Sequence, residues 1–262
     1  MNKFERLLLF PAAALLLAVF SGCGRSGSAK LVAEGKSAAE KGDWELAYKS
    51  ASRGLERSPR NVDALLLKAL SAKKLGRQGD AYRAAANAVK AEPKNFSAQF
   101  MLGWVCMDEP ARKGEAKNAF LRAYELRPDD RDTLIALCNL AAENNDPELL
   151  DWLEKLKKAD GKFAKRSAAF HNQLGMAYLR AGNDSEAFKK FQKARSMSDG
   201  WNDPQIVYNV ACIGDKLDAV EPARLTKWYR HYLKLTKDDA SSEKTQELVK
   251  ARLKRLERRS WR

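Results

Sequence analysis

The stretch HNQLGMAYLRAGNDSEAFKKFQKA, residues 171–194, decides the fold. Its first half places Leu174, Gly175 and Tyr178 on one helix, and its second half places Ala187, Phe191 and Ala194 on another. The second set falls at i, i+4 and i+7, one face of a helix. Small residues let two helices approach, and large ones fill the space between neighbours. The stretch therefore reads as a helical hairpin.

The same pattern recurs. GDWELAYKSASRGLERSP (42–59), GRQGDAYRAAANAVKAEP (76–93) and KGEAKNAFLRAYELRP (113–128) each carry an Ala, a small or aromatic residue four positions later, and a closing Pro. Ala47, Ala81 and Ala116 are spaced by 34 and 35 residues, and Ala187 lies a further 71 on, two more units. Pro59, Pro93 and Pro128 keep the same step. The residue before a proline disfavours the α region, so each Pro ends a second helix. A fixed period of this size marks a repeat architecture.

The unit resembles the tetratricopeptide repeat, a 34-residue helix-turn-helix. Residues 171–194 match that family best; Leu102, Gly103, Ala116, Phe120, Ala123 and Pro128 match nearly as well. Six units are expected, over 28–61, 62–95, 96–130, 131–167, 168–203 and 204–237, the fourth and sixth degenerate. In the fourth, Cys138 takes the small-residue place and 146–159 forms the second helix; in the sixth, 208–212 lies on the first helix and 221–235 forms the second. A last amphipathic segment, 241–262, sets Leu248, Val249, Leu253 and Leu256 on one stripe and reads as the polar-faced cap that a terminal repeat needs.

The chain has 262 residues, 31% of them charged and 45% hydrophobic, enough for a sizeable core. Its net charge of +14 favours anionic partners without choosing among them. The address comes from the N-terminus. Lys3 and Arg6 precede LLLFPAAALLLAVF (7–20), an apolar run that contains Pro11. At 1.5 Å per residue it rises about 21 Å, short of a ~30 Å hydrocarbon core. A basic start, a short apolar middle and small residues at the end are the marks of an export signal. Phe20-Ser21-Gly22-Cys23 resembles the bacterial lipobox, which implies a diacylglyceryl thioether on Cys23 and cleavage before it. An ordinary secretory signal and an uncleaved anchor are the alternatives. Two or three acyl chains anchor stably where one is marginal. Gly24 after the cysteine implies, by enterobacterial sorting, the outer membrane rather than the inner. GRSGSA (24–29) reads as a flexible tether.

Catalytic patterns are scarce. His171 and His231 lack metal-ligand spacing and read as surface or packing residues. There is no Walker loop, GxGxxG, HExxH or GxSxG pattern, so no enzyme, metal or cofactor is expected. Cys106, Cys138 and Cys212 fall on first helices at small or apolar positions; in an oxidising compartment Cys106 and Cys138, on adjacent repeats, are the pair placed to join.

Arrays of this family bind through the wall made by their first helices. The resemblance puts Leu66, Leu70, Lys73, Phe100, Trp104, Met107, Ile135, Asn139, Asn172, Met176, Leu179 and Tyr208 on that wall. Its apolar, aromatic middle suits a partner helix or extended segment, unless the C-terminal helix or tight curvature covers it. The carboxylate clamp of chaperone-binding arrays is missing, since Val32, Lys36, Leu67, Ser97 and Met101 hold those places. Arg252, Lys254, Arg255, Arg258, Arg259 and Arg262 form a basic surface, either a solvated face or a contact for anionic head groups or acidic glycan; export argues against nucleic acid.

These readings converge on an all-α chain, a right-handed α-solenoid of about six hairpins with a C-terminal capping helix, preceded by a lipoprotein signal peptide. The expected divisions are signal peptide 1–22, lipidated tether 23–29, repeats 30–237 and basic cap 238–262. The function expected is a non-enzymatic scaffold on the periplasmic face of the envelope that binds a protein or peptide partner. It resembles lipoproteins of outer-membrane protein assembly and of pilus biogenesis in architecture; a regulator of a peptidoglycan enzyme is the alternative.

Overall fold

The computed structural model describes residues 27–197 and 199–259, with the side chain of Arg259 excepted. All of the regular structure there is helical, and the helices pair as antiparallel neighbours in chain order. Two compact units divide these residues, 27–140 and 141–259.

In the N-terminal unit α1 (Gly27–Glu40) pairs with α2 (Trp44–Arg57), α3 (Val62–Lys74) with α4 (Gln78–Ala91), and α5 (Phe96–Cys106) with α6 (Lys113–Leu126). The first helices α1, α3 and α5 also touch one another in sequence, so they form one layer and their partners another. α7 (Arg131–Glu143) carries the boundary between the units. The C-terminal unit continues with α8 (Leu149–Ala159), the short α9 (Gly161–Arg166), the pair α10 (Ala168–Arg180) and α11 (Asp184–Arg195), the pair α12 (Pro204–Lys216) and α13 (Pro222–Leu235), and α14 (Glu243–Arg259).

The expected unit boundaries fall where first helices begin, at Val62, Phe96, Arg131, Ala168 and Pro204. The small and aromatic positions that define the repeat are its core: Ala47, Ala51, Ala81, Ala85, Ala116, Phe120, Ala187 and Phe191 are all buried at 0% exposure. Phe120 and Phe191 press on a glycine of the paired helix. A Cβ on Gly103 would stand 2.9 Å from the Phe120 ring, and one on Gly175 would stand 2.6 Å from the Phe191 ring. Only a hydrogen at those positions permits so close a helix approach.

The ends of the hairpins repeat as well. Asn61 and Asn95 accept the amides of Ala64 and Ala98, and Asp130 accepts that of Thr133, closing the first turns of α3, α5 and α7. Each cap lies two residues after Pro59, Pro93 or Pro128. Such a cap is worth about 1 kcal/mol. The turn inside a hairpin places one residue in the left-handed region: Gly42, Gly76 and Gly182, and, in the degenerate fourth and sixth hairpins, Asn145 and Asp218. Asn and Asp tolerate this conformation better than other side chains. The third hairpin turns instead through a 3₁₀ segment, Pro110–Arg112.

Successive second helices are strapped together by one device used twice. The Tyr48 hydroxyl donates to Asp80 at 2.9 Å, with the Arg77 guanidinium 4.8 Å from its ring centre. Tyr82 donates to Glu115 at 3.1 Å, with Arg112 at 3.7 Å over its ring.

Three expectations need correction. Residues 27–29, expected to be tether, form the first turn of α1. α9 is an additional helix in the fourth unit, capped by Asp160 at the Phe163 amide. Leu248 leaves the stripe assigned to the last helix: it is 54% exposed, whereas Val249, Leu253 and Leu256 are buried in the same core as Phe191, Trp228 and Tyr229. The expected signal peptide and Cys23, within residues 1–26, lie outside the described residues. Among the described residues, no helix is long and apolar enough to cross a membrane.

Candidate functional site

The wall assigned to the first helices separates into a covered part and an open part. In the N-terminal unit Leu66, Leu70, Phe100 and Ile135 are buried at 1–3% exposure and belong to the core. Asn139 is buried too. Phe100 packs edge-on against Phe120, centroids 5.5 Å apart. What remains partly open is Trp104 and Met107, with Lys73, its side chain only 9% exposed, beside them. Lys73 at the end of α3 reaches across to α5. Its ammonium lies 4.7 Å from the Trp104 ring centre, donates to the Trp104 carbonyl at 3.0 Å and pairs with Asp108 at 2.5 Å. The ammonium packs over the indole face and leaves the ring partly exposed, an aromatic surface of the kind that anchors protein interfaces. A smaller pocket of about 320 Å³ is lined in part by Asp63, Asn95, Phe96 and Arg127.

In the C-terminal unit the remaining wall residues meet at a larger pocket of about 700 Å³. Met176 and Leu179 from α10 and Tyr208, Asn209 and Cys212 from α12 line it, with Phe191 and Ile213 behind them and Arg252 and Arg255 from α14 closing one side. Asn172 joins through a row of amides: Gln205 donates to Asn209 at 2.9 Å, and Asn209 donates to Asn172 at 2.9 Å. Arg252 donates to the Tyr229 hydroxyl at 3.0 Å. Burial pushes the Tyr208 hydroxyl up to about 12 and also raises the Cys212 thiol, so both are neutral near pH 7. A pocket of this size, where apolar side chains meet Gln205, Asn209, Asp215, Lys216 and two arginines, has the character of a ligand site.

The basic surface is thereby divided. Arg252 and Arg255 belong to the pocket wall, and Arg255 is paired with Asp215. Lys254 and Arg258 are exposed on α14, while the Arg259 side chain and Arg262 lie outside the described residues. Arg252, expected on the basic surface, owes its place in the pocket wall to the packing of α14 beside α12, which periodicity does not predict.

Cys106, Cys138 and Cys212 are free thiols. Burial raises the Cys106 thiol to about 12 and lifts Cys138 as well, which makes both poor nucleophiles. His231 stacks on Trp201 at 4.3 Å and contacts its carbonyl at 2.9 Å. His171 is held below the usual histidine range by burial, with Lys193 and Lys190 adding to the effect. Both are packing residues. Among the described residues, no group of three or more His, Cys, Asp and Glu is placed to hold a metal ion.

With this geometry in view, the known proteins can be set beside it. Residues 66–131 match the family model described as tetratricopeptide repeat. Over that segment the chain is similar to the tetratricopeptide repeat. A TPR repeat-containing protein of Pseudomonas aeruginosa is 29% identical over 86 residues, which are 33% of this chain and 15% of that protein's length. Among solved structures, PilW, described as a widely conserved type IV pilus biogenesis factor, aligns over 86% of this chain and 100% of its own with a TM-score of 0.61 and 17% identity. YrrB, described as a TPR protein with an unusual peptide-binding site, aligns over 72% of this chain and 93% of its own, TM-score 0.59 and 15% identity. MamA aligns over 64% of this chain and 90% of its own, TM-score 0.57 and 23% identity. At these identities the likeness is one of fold. The tetratricopeptide fold is a protein–protein interaction scaffold, and proteins that carry it bind protein or peptide partners.

Proposed function

We propose that this chain is a non-enzymatic adaptor of the bacterial envelope, held on the periplasmic side by acyl chains on Cys23 and gripping segments of partner proteins along its first helices. The observation that carries the reading is the partly exposed aromatic surface of Trp104, with Lys73 over its ring and Met107 one turn on, in a fold suited to protein recognition. Pilus biogenesis is the process favoured, on the likeness to PilW over 86% of this chain; the lipobox-like Phe20-Ser21-Gly22-Cys23 supports the anchor, and Gly24 after it supports an outer-membrane address.

Two experiments test this. A photo-crosslinking residue at Met107 in living cells, read by mass spectrometry, is expected to trap a small set of envelope proteins, with pilus assembly components among them. Trp104→Ala should reduce that yield by roughly tenfold or more, as loss of an aromatic hot spot does, while the array keeps its helical content. Recovery of peptidoglycan enzymes instead would favour the regulator reading, and an unchanged yield would remove Trp104 from the site. Cys23→Ala should move the protein out of the membrane fraction or leave the precursor uncut. Unaltered processing and fractionation would end the anchor proposal.

A further inference from the structure

The C-terminal pocket is closed by a cation that the protein itself does not neutralise. Its two basic neighbours are paired: Arg255 with Asp215, and Lys216 with Asp184 at 2.5 Å. Arg252 is half-buried and spends one N–H on the Tyr229 hydroxyl; among the described residues no carboxylate stands within ion-pair distance of it. A charge taken partly out of water is costly unless it is matched. An arginine fork is shaped for two parallel hydrogen bonds to a carboxylate.

The rest of the pocket suits a peptide. Met176, Leu179 and the Tyr208 ring offer an apolar seat. The amide row fixes the orientation of Asn209 and leaves the carbonyl of Gln205, which lines the pocket, for a peptide backbone, since the row does not use it. We infer that this pocket holds a peptide carboxylate next to an apolar side chain, with Arg252 as the carboxylate's partner, so that α14 is part of the recognition site as well as the end of the array. The inference deepens the adaptor reading and rests on it.

Cys212 supplies the readout. It lines the pocket and is partly exposed, whereas Cys106 and Cys138 are buried; because burial raises its thiol too, labelling is run at mildly alkaline pH. N-ethylmaleimide modification of Cys212 in the full chain is followed by peptide mass spectrometry with three probes. These are acetyl-Ser-Gly-Leu-Phe with a free C-terminal carboxylate, the same peptide as its amide, and acetyl-Ser-Glu-Leu-Phe-amide. One of the carboxylate probes should slow labelling, the first if the chain terminus is recognised and the third if a side-chain carboxylate is. The neutral amide should bind roughly ten- to a hundredfold more weakly, the range expected for a charge-assisted contact. Arg252→Gln should abolish protection. Because Arg252 also touches Tyr229, Met176→Glu serves as a second variant: it places a competing carboxylate in the pocket and should likewise abolish protection while the helices remain. Equal protection by the amide, protection that survives both variants, or no protection by any probe overturns the inference. If Met107 crosslinking still depends on Trp104 in that event, the adaptor reading stands and only the pocket's ligand falls.

Discussion

Phe120→Ala is expected to destabilise the N-terminal unit by about 3–5 kcal/mol, the cost of truncating a buried phenylalanine. The ring is fully buried between α5 and α6, against the bare Cα of Gly103 and edge-on to Phe100. Gly103 has no side chain to move into that space, so at that position a rotamer change cannot fill the void. A whole domain is stable by only about 5–15 kcal/mol, and repeat arrays pass a local loss to their neighbours through nearest-neighbour interfaces. Urea unfolding followed by far-ultraviolet circular dichroism should show an early phase that the native protein lacks. A loss below about 1 kcal/mol would mean that Phe120 is not what holds this hairpin shut.

Gly175→Ala should also destabilise, against the sign that helix propensity gives. Alanine in a helix interior gains about 1 kcal/mol over glycine. Here the new methyl would stand 2.6 Å from the Phe191 ring, which is itself fully buried and has no free end to swing away. Overpacking of this kind costs about 1–3 kcal/mol, so the net change should be unfavourable. Phe191→Leu made together with Gly175→Ala relieves the clash, and the double-mutant cycle should return a favourable coupling between the two sites. A stabilised single variant would show that α10 and α11 have slack between them.

The period was the legible part of the sequence. Ala47, Ala81, Ala116 and Ala187 announced helix pairs because close approach tolerates nothing larger at those places. A plainer signal went unread: Asn61, Asn95 and Asp130, each two residues past a proline, mark the start of each following helix. The wall was only partly legible. Periodicity assigns a side chain to a face, but whether Leu66 or Phe100 is covered depends on how closely the next hairpin packs. The C-terminal helix was legible in three of its four stripe positions. Val249, Leu253 and Leu256 enter the core, whereas Leu248, about 100° round the helix from Val249, stays outside it, and periodicity alone does not say that Arg252 meets a pocket lined by α12.

The caps after each proline and the left-handed residue within most turns give a hairpin its own punctuation. Its beginning and its bend are written inside its own stretch of about 34 residues, independent of what comes before. A gene encoding such a chain can lengthen or shorten by whole units, through unequal recombination, without leaving a helix end unfinished. The two degenerate hairpins, with Asn145 and Asp218 standing where the others keep glycine, show how far the spelling can drift while the grammar holds.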